Sequence, residues 1–449
     1  MYKRQVVIGI VALLLILGTV VALNYPRLNI ITGFAAKSVC SCTFEAGRDL
    51  ASIESGDNDI DPVYYAKNVI DYDTKSVTST VFGLKKRVAV YKEGKGCVLI
   101  PQDSDELDKY VPKRADSIIE LPFPYGHLPQ PDTLFDYVDY EALKKAVDQV
   151  FDEGDEEYLR TRAVVVVHKD KIIAERYAEG FDASTKLLGW SMTKSVTNAV
   201  LGIMQYKGMV NLEQNHLFET WEHDDRSELT LNNLLQMNSG LEWVEDYNTM
   251  SDVTKMLFIE SNMPSVQLNK PLIGEPNNSW NYSSGTSNLL SGFIRNQFET
   301  QEAYMDFWYR ELIDKIGMSS MLIEADAEGN FVGSSYAWAT PRDWAKFGLL
   351  FLHEGNWNGK RVFGTDWATY ASTPTNGSDG SYGAHFWLNA GGIYPNVPKD
   401  LYSANGYQGQ HVFIIPSRDL VVVRMGLTEY PQFDIDTFLK DILQSIGSE

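Results

Sequence analysis

Apolar residues along the C-terminal two thirds of the chain recur with two periods, and each period predicts its own elements. Residues 163–167 are an unbroken apolar run that reads as a buried strand, and Lys169 and Asp170 turn the chain into a second strand over 172–177. Leu143, Val147 and Val150 share one helical face and predict a helix over 140–151. Met192, Val196, Val200 and Ile203 predict another that opens at Ser191 and stops at Gly208. Near the end of the chain, runs at 411–415 and 420–425 flank a turn at 416–419, and Phe433, Ile435, Phe438, Leu439, Ile442 and Ile446 mark a closing amphipathic helix. Hairpin connections imply antiparallel pairing. Strands from both ends around a mainly helical middle, 191–355, predict an α/β fold of the α+β kind. Its antiparallel sheet is flanked by helices, with a helical subdomain inserted and a cleft between them.

The N-terminal third reads differently. Short alternating runs at 77–82 and 87–91, broken by Gly83, Gly94 and Gly96, predict a small β-rich region, and the four prolines of 121–131 predict an extended linker. Lys3 and Arg4 precede an uncharged, mostly apolar stretch, 6–23, long enough to cross a hydrocarbon core about 30 Å thick. The positive flank predicts the N-terminus inside and the rest outside. A cleaved secretory signal, with Val20 and Ala22 at the cleavage site, is the alternative; both place the rest of the chain outside the cytoplasm. The expected organisation is 1–24 anchor or signal, 25–135 β-rich region and linker, and 136–449 main domain.

An extracytoplasmic compartment permits one disulfide among Cys40, Cys42 and Cys97, and the tight ring of a 40–42 bridge favours Cys97 with either partner. No histidine lies near the C-x-C pair, so no metal is expected there. A formal net charge of −21 argues against nucleic acid or an anionic membrane surface as ligand. Acidic runs such as Asp103, Asp105 and Glu106 read as solvated faces, and no cofactor is expected.

Candidate chemistry starts at Ser191, followed by Met192, Thr193 and Lys194. Residues three apart on a helix face the same way, so Lys194 can reach the Ser191 hydroxyl. A serine hydroxyl needs a base, and a lysine with an ordinary pKa near 10.4 must lose about three units to act as one at neutral pH. Burial beside Trp190 and Tyr282 could supply that shift. Free N–H groups at the helix start favour an oxyanion beside Ser191. Tyr282, in the polar turn 281–285, can pass a proton, and Gly406 enters the last hairpin from the segment 403–410. A histidine-based triad is not expected: no G-x-S-x-G elbow occurs, a structural or pocket-lining role suffices for His411, while His216, His223, His353 and His385 read as ordinary surface or core residues, and His216 and His223 lack zinc-ligand company.

Ser191 and Lys194, then Tyr282 with Ser284, then a glycine-bearing strand: in this order the motifs resemble the serine β-lactamase and penicillin-binding-protein superfamily, over roughly residues 162–425. The likeness is to the class C β-lactamase-related branch with its esterases, and within it to 6-aminohexanoate-dimer hydrolases. Segments 234–241, 245–247 and 340–348 are similar as well. The resemblance implies Ser191 as nucleophile, Lys194 or Tyr282 as first proton acceptor, and an oxyanion hole from the backbone N–H groups of Ser191 and Tyr407. It implies substrate contacts from Trp190, Tyr247, Ser284, Gly406 and Gln410. Two departures stand out. Ala404, Asn405 and Gly406 occupy the places where penicillin-recognising members carry a cation, a hydroxyl residue and glycine, and Ser284 replaces the usual asparagine. The expectation is therefore a membrane-anchored, extracytoplasmic serine hydrolase of small amides or esters. A β-lactamase or D-Ala-D-Ala carboxypeptidase and a non-catalytic sensor of the same fold are the alternatives.

Overall fold

The computed structural model describes residues 25–447 except 102–109, 116–118, 153–157 and 430–432, with only isolated positions before residue 25. The described residues of Met1–Lys92, Cys97–Leu107 and Val244–Ser261 cluster into one compact unit, and those of Glu93–Gly96, Asp108–Trp243 and Asn262–Glu449 into another.

In the first unit, strands β1 (Ala66–Asp71), β2 (Ser76–Val81), β3 (Leu84–Lys92) and β4 (Gly96–Leu99) lie in that order in one sheet. Phe82 and Gly83, both at positive φ (52° and 73°), form the two-residue turn between β2 and β3. The region is not purely β as expected, because helix Leu28–Phe44 packs on this sheet. It shows no one-sided stripe, since Ala36, Lys37, Val39, Ser41 and Cys42, which point to different sides of the helix, are all buried. Gly33 admits a close neighbour: a Cβ there would stand 3.0 Å from the Phe258 carbonyl oxygen. Cys40 is bridged to Cys97, and Cys42 is buried outside the bridge with Arg48 Nη1 3.9 Å from its sulfur.

The second unit is built on a larger sheet. In chain order it contains β5 (Thr161–His168), β6 (Lys171–Tyr177), β7 (Leu187–Leu188), β8 (Leu322–Ile323), β9 (Ala337–Ala339), the small hairpin β10 (Asn356–Trp357) and β11 (Lys360–Arg361), β12 (Trp387–Leu388), β13 (Tyr402–Gly406), β14 (Gln410–Ile415) and β15 (Leu420–Gly426). Six of these form an antiparallel sheet in the order β12-β13-β14-β15-β5-β6. Alternate residues serve opposite faces. Val164, Val166, Phe413, Ile415 and Val422 pack with helices Tyr140–Asp148 and Ile435–Ser445. Ala163, Val165, Val167, Val412, Ile414, Val421 and Val423 pack with helices Met192–Tyr206 and Pro341–Leu352. Because both faces are covered, β5 is buried along its whole length, which is why it reads as a run instead of an alternation.

The expected linker is packed, not free. Phe123 is in the core, Tyr125 stacks edge-on against Trp357 and donates to Asp170 at 2.8 Å, and Gln130 exchanges two hydrogen bonds with the Ile172 backbone. Residues 119–135 thus belong to the second unit, while 244–261 belong to the first. Among the described residues no helix is long and apolar enough to cross a membrane. The stretch 6–23 lies outside the described residues apart from isolated positions.

Candidate active site

Between β7 and helix Met192–Tyr206 the chain makes one sharp, strained step. Trp190 adopts φ +46°, a left-handed conformation uncommon for a bulky residue. The surroundings hold it there. Gly189 N–H donates to Ala337 O (2.8 Å), Thr193 Oγ1 donates to Trp190 O (2.7 Å), and Ala337 N–H donates to Thr193 Oγ1 (2.9 Å). Gly189 is needed because a Cβ would lie 2.4 Å from the Trp344 ring. Ser191 follows as the residue before the helix and is half-buried; its side chain caps nothing.

Lys194, only 2% exposed, donates to Ser191 Oγ at 3.0 Å, to Ser284 Oγ at 2.9 Å and to the carbonyl of Ser334 at 3.0 Å. Its Nζ lies 4.8 Å from the centre of the Tyr282 ring. The structure therefore brings Ser191, Lys194, Tyr282 and Ser284 together. Tyr282 owes its place to the segment at 237: Met237, itself at φ +53°, accepts the Asn281 N–H on its carbonyl (2.9 Å) and the Ser283 N–H on its sulfur (3.4 Å). Ser283 then caps helix Ser284–Asn296 through Thr286 N–H. Around Tyr282 stand Tyr382 (ring centres 5.7 Å apart) and Trp387 (5.3 Å), with Trp280 against Tyr382 (5.5 Å). Trp280 and Trp387 are half-buried, whereas Trp243 and Trp338 are core residues.

The end of β13 completes the arrangement. A Cβ on Gly406 would sit 2.1 Å from the Gly189 carbonyl oxygen, so this glycine permits two backbones to touch; that contact accounts for it without invoking a substrate. Tyr407, half-exposed, sets its ring edge-on to Trp190 at 5.8 Å, and burial beside Glu429 pushes its phenol up to about 12. The turn after it is pinned by Arg424, whose fully buried guanidinium donates to the carbonyls of Gln408 (3.2 Å), Gly409 (2.8 Å) and Leu159 (2.7 Å); burial holds it down near 9.

Three residues expected to contact substrate have their polar side-chain groups engaged within the protein. Gln410 is buried with its amide on the backbone: Nε2 donates to the carbonyls of Tyr407 and Gly426, and Oε1 accepts the N–H of Gly426. Ser284 is fully buried on Lys194, so its hydroxyl acts on the lysine. Tyr247 lies in the other compact unit, exposed, with its hydroxyl on Glu245 at 2.9 Å. Reasoning from the sequence missed the Ser334 carbonyl, the Trp190 strain and Arg424. None carries a local motif, although a lone arginine in the apolar run 420–425 is a signal that it must be satisfied inside.

Two buried histidines support this framework. His385 bridges Ser287 Oγ (2.9 Å) and the Leu235 carbonyl (2.7 Å), and His411 stacks on Phe413 beside Asn405. Burial first, then the nearby charge of Lys194 or Arg424, pushes each ring down to about 3. An unfolded histidine protonates near 6.5, so the unfolded state takes up protons first as pH falls. Stability is complete above about pH 6.5 and is lost at up to roughly 1.4 kcal/mol per pH unit per ring as pH drops toward the folded values. Urea midpoints are expected to fall steeply between about pH 6 and 4, and His385→Gln with His411→Gln should flatten that slope. An unchanged slope in the double variant counts against this assignment.

A family model described as Beta-lactamase matches residues 147–443. Among solved structures, the chain is similar to a 6-aminohexanoate-dimer hydrolase homologue from Bacillus anthracis, at 19% identity and TM-score 0.58, with 71% of this chain and 87% of that one covered. It is also similar to EstCE1, described as a hydrolase with promiscuous acyltransferase activity (12% identity, TM-score 0.55, coverage 68% and 99%). A third is a penicillin-binding-protein homologue from Caulobacter crescentus (13%, 0.52, coverage 70% and 99%). At these identities the structural likeness concerns the fold. No curated protein matches.

Proposed function

The chain belongs to the Beta-lactamase family and is a serine hydrolase of that fold, and on this premise we propose that it cleaves small amides or esters through an acyl-Ser191 intermediate. The observation that carries the proposal is the set of oxygens around Lys194 Nζ, with the Tyr282 ring closing the fourth side. Three acceptors suit an ammonium. In the neutral amine, one N–H stays on the Ser334 carbonyl, which can only accept, a second N–H goes to Ser284, and the lone pair is left facing Ser191 Oγ. The Ser191 proton then passes to the Lys194–Tyr282 pair as Oγ bonds to the substrate carbonyl carbon. The oxyanion is assigned to the N–H groups of Ser191 and Tyr407. Its collapse breaks the bond to the amine or alcohol, which leaves with the proton, and a water deprotonated by the same pair releases the acid and restores Ser191.

Substrate choice follows from β13. Ala404 is 1% exposed, on the same strand face as Gly406, and no cation stands at that position to hold a penicillin carboxylate. Ala404→Lys is expected to bury an ammonium in a filled site and to lower stability by at least about 2 kcal/mol without creating penicillin turnover. The test of the reading is a panel of p-nitrophenyl esters, linear aminohexanoate amides and a chromogenic cephalosporin. Neutral esters or linear amides should be turned over fastest. Hydrolysis of penicillins or cephalosporins as fast as the best neutral ester would overturn it in favour of a cell-wall or β-lactam role.

The same reading places the enzyme outside the cytoplasm, held by the stretch 6–23 or released by its cleavage. The Cys40–Cys97 bridge supports an oxidising compartment. A reporter fused after residue 449 should be active only outside the cytoplasm; activity inside would reverse the assignment.

A further inference from the structure

One end of the N-terminal unit exposes a cluster of aromatic rings that its fold does not need. Phe82, at the β2–β3 turn, is 79% exposed, and Tyr65 and Tyr64, at the start of β1, are 50% and 49% exposed. Tyr65 reaches Phe82 at 6.0 Å between ring centres, and the Tyr64 ring lies tilted against Tyr65 at 4.3 Å. The pairing of Ala66 with Val81 brings these rings to the same sheet end. Leu84 (45% exposed) and Lys85 continue the patch, and Lys85 Nζ lies 4.4 Å from the ring centre of Tyr25. Exposed aromatic rings with a lysine beside them suit a membrane–water interface, where the rings enter the headgroup layer and the lysine stays at its edge, and Asp61 beside Tyr64 marks the acidic margin of the patch.

Chain geometry points to the same occupant. Tyr25 follows the end of the stretch 6–23 by two residues, so it stands within about 7 Å of that end. The headgroup layer on each side of the hydrocarbon core is about 5–7 Å thick. If 6–23 spans the bilayer, Tyr25 must lie in or against that layer, and Lys85 ties the β2–β3 turn to it. We infer that the end of the unit formed by Tyr25, Tyr64, Tyr65, Phe82 and Lys85 docks on the phospholipid headgroups, fixing the orientation of this unit on the bilayer. The inference rests on the membrane reading of 6–23, and it adds a second contact that the anchor alone does not supply.

The experiment uses the full chain in phosphatidylcholine vesicles, with an environment-sensitive fluorophore on Phe82→Cys or, as control, on Asp73→Cys. Asp73 is exposed in the turn at the other end of β1 and β2. Buried Cys42 should not react, and unsubstituted chain taken through the same labelling gives the blank. The expected result is a blue shift at position 82, with loss of intensity when headgroup-labelled nitroxide lipid is added, and neither change at 73. A vesicle-bound chain whose label at 82 is as water-accessible as that at 73 overturns the docking while leaving the anchor intact. A chain that does not associate with vesicles overturns both.

Discussion

Ser191→Ala is expected to lower kcat/KM for the best ester by a factor on the order of 10⁴ or more, while thermal stability moves by no more than about 0.5 kcal/mol. The rate loss follows from removing the hydroxyl assigned to form the acyl bond; what remains comes from oxyanion stabilisation and binding. Stability is spared for a reason visible in the helix. Ser191 precedes Met192–Tyr206 but its side chain caps no backbone N–H, and Lys194 keeps Ser284 and the Ser334 carbonyl. Paired rate and melting measurements check both halves. A variant that loses activity only by unfolding would remove the argument for chemistry at this residue.

The second large effect concerns Lys194. Lys194→Met should cost a factor of roughly 10² to 10⁴, the range expected for loss of a positioned base. Lys194→Arg should rescue little of it, because a guanidinium stays charged and cannot take the Ser191 proton. Tyr282→Phe should be costly alone, yet combining it with Lys194→Met should add less than about tenfold to the worse single loss, since both groups handle one proton. Losses that multiply, or an arginine that restores most of the rate, would assign Lys194 an electrostatic role instead of proton transfer.

How far the sequence could be read depended on how local each feature is. Helix Met192–Tyr206 and hairpin β14–β15 announce themselves through spacing within a few residues, and Ser191 and Lys194 share a single turn, so their contact was foreseeable. The Ser334 carbonyl, 140 residues from Lys194, could not be foreseen, because any residue supplies a carbonyl and only the fold chooses which one arrives. Gly406 and Gln410 show the same limit in reverse. Their residue types fit a substrate-facing strand, but the Gly189 backbone and the Gly426 peptide, brought in by the sheet, account for them. Helix Leu28–Phe44 was hidden because it is buried on several sides and therefore lacks the polar stripe that reveals a surface helix. Trp190 conceals its strained backbone in an ordinary side chain.

The most direct test of the central claim is covalent. A fluorophosphonate captures a serine activated as a nucleophile, so treating the native full chain with it and sequencing the modified peptide by mass spectrometry identifies the reactive residue. The structure, with Ser191 Oγ on Lys194 Nζ at 3.0 Å, predicts a single label on Ser191 that vanishes in Lys194→Met. A label on any other serine, or none on a chain that hydrolyses esters, would contradict it.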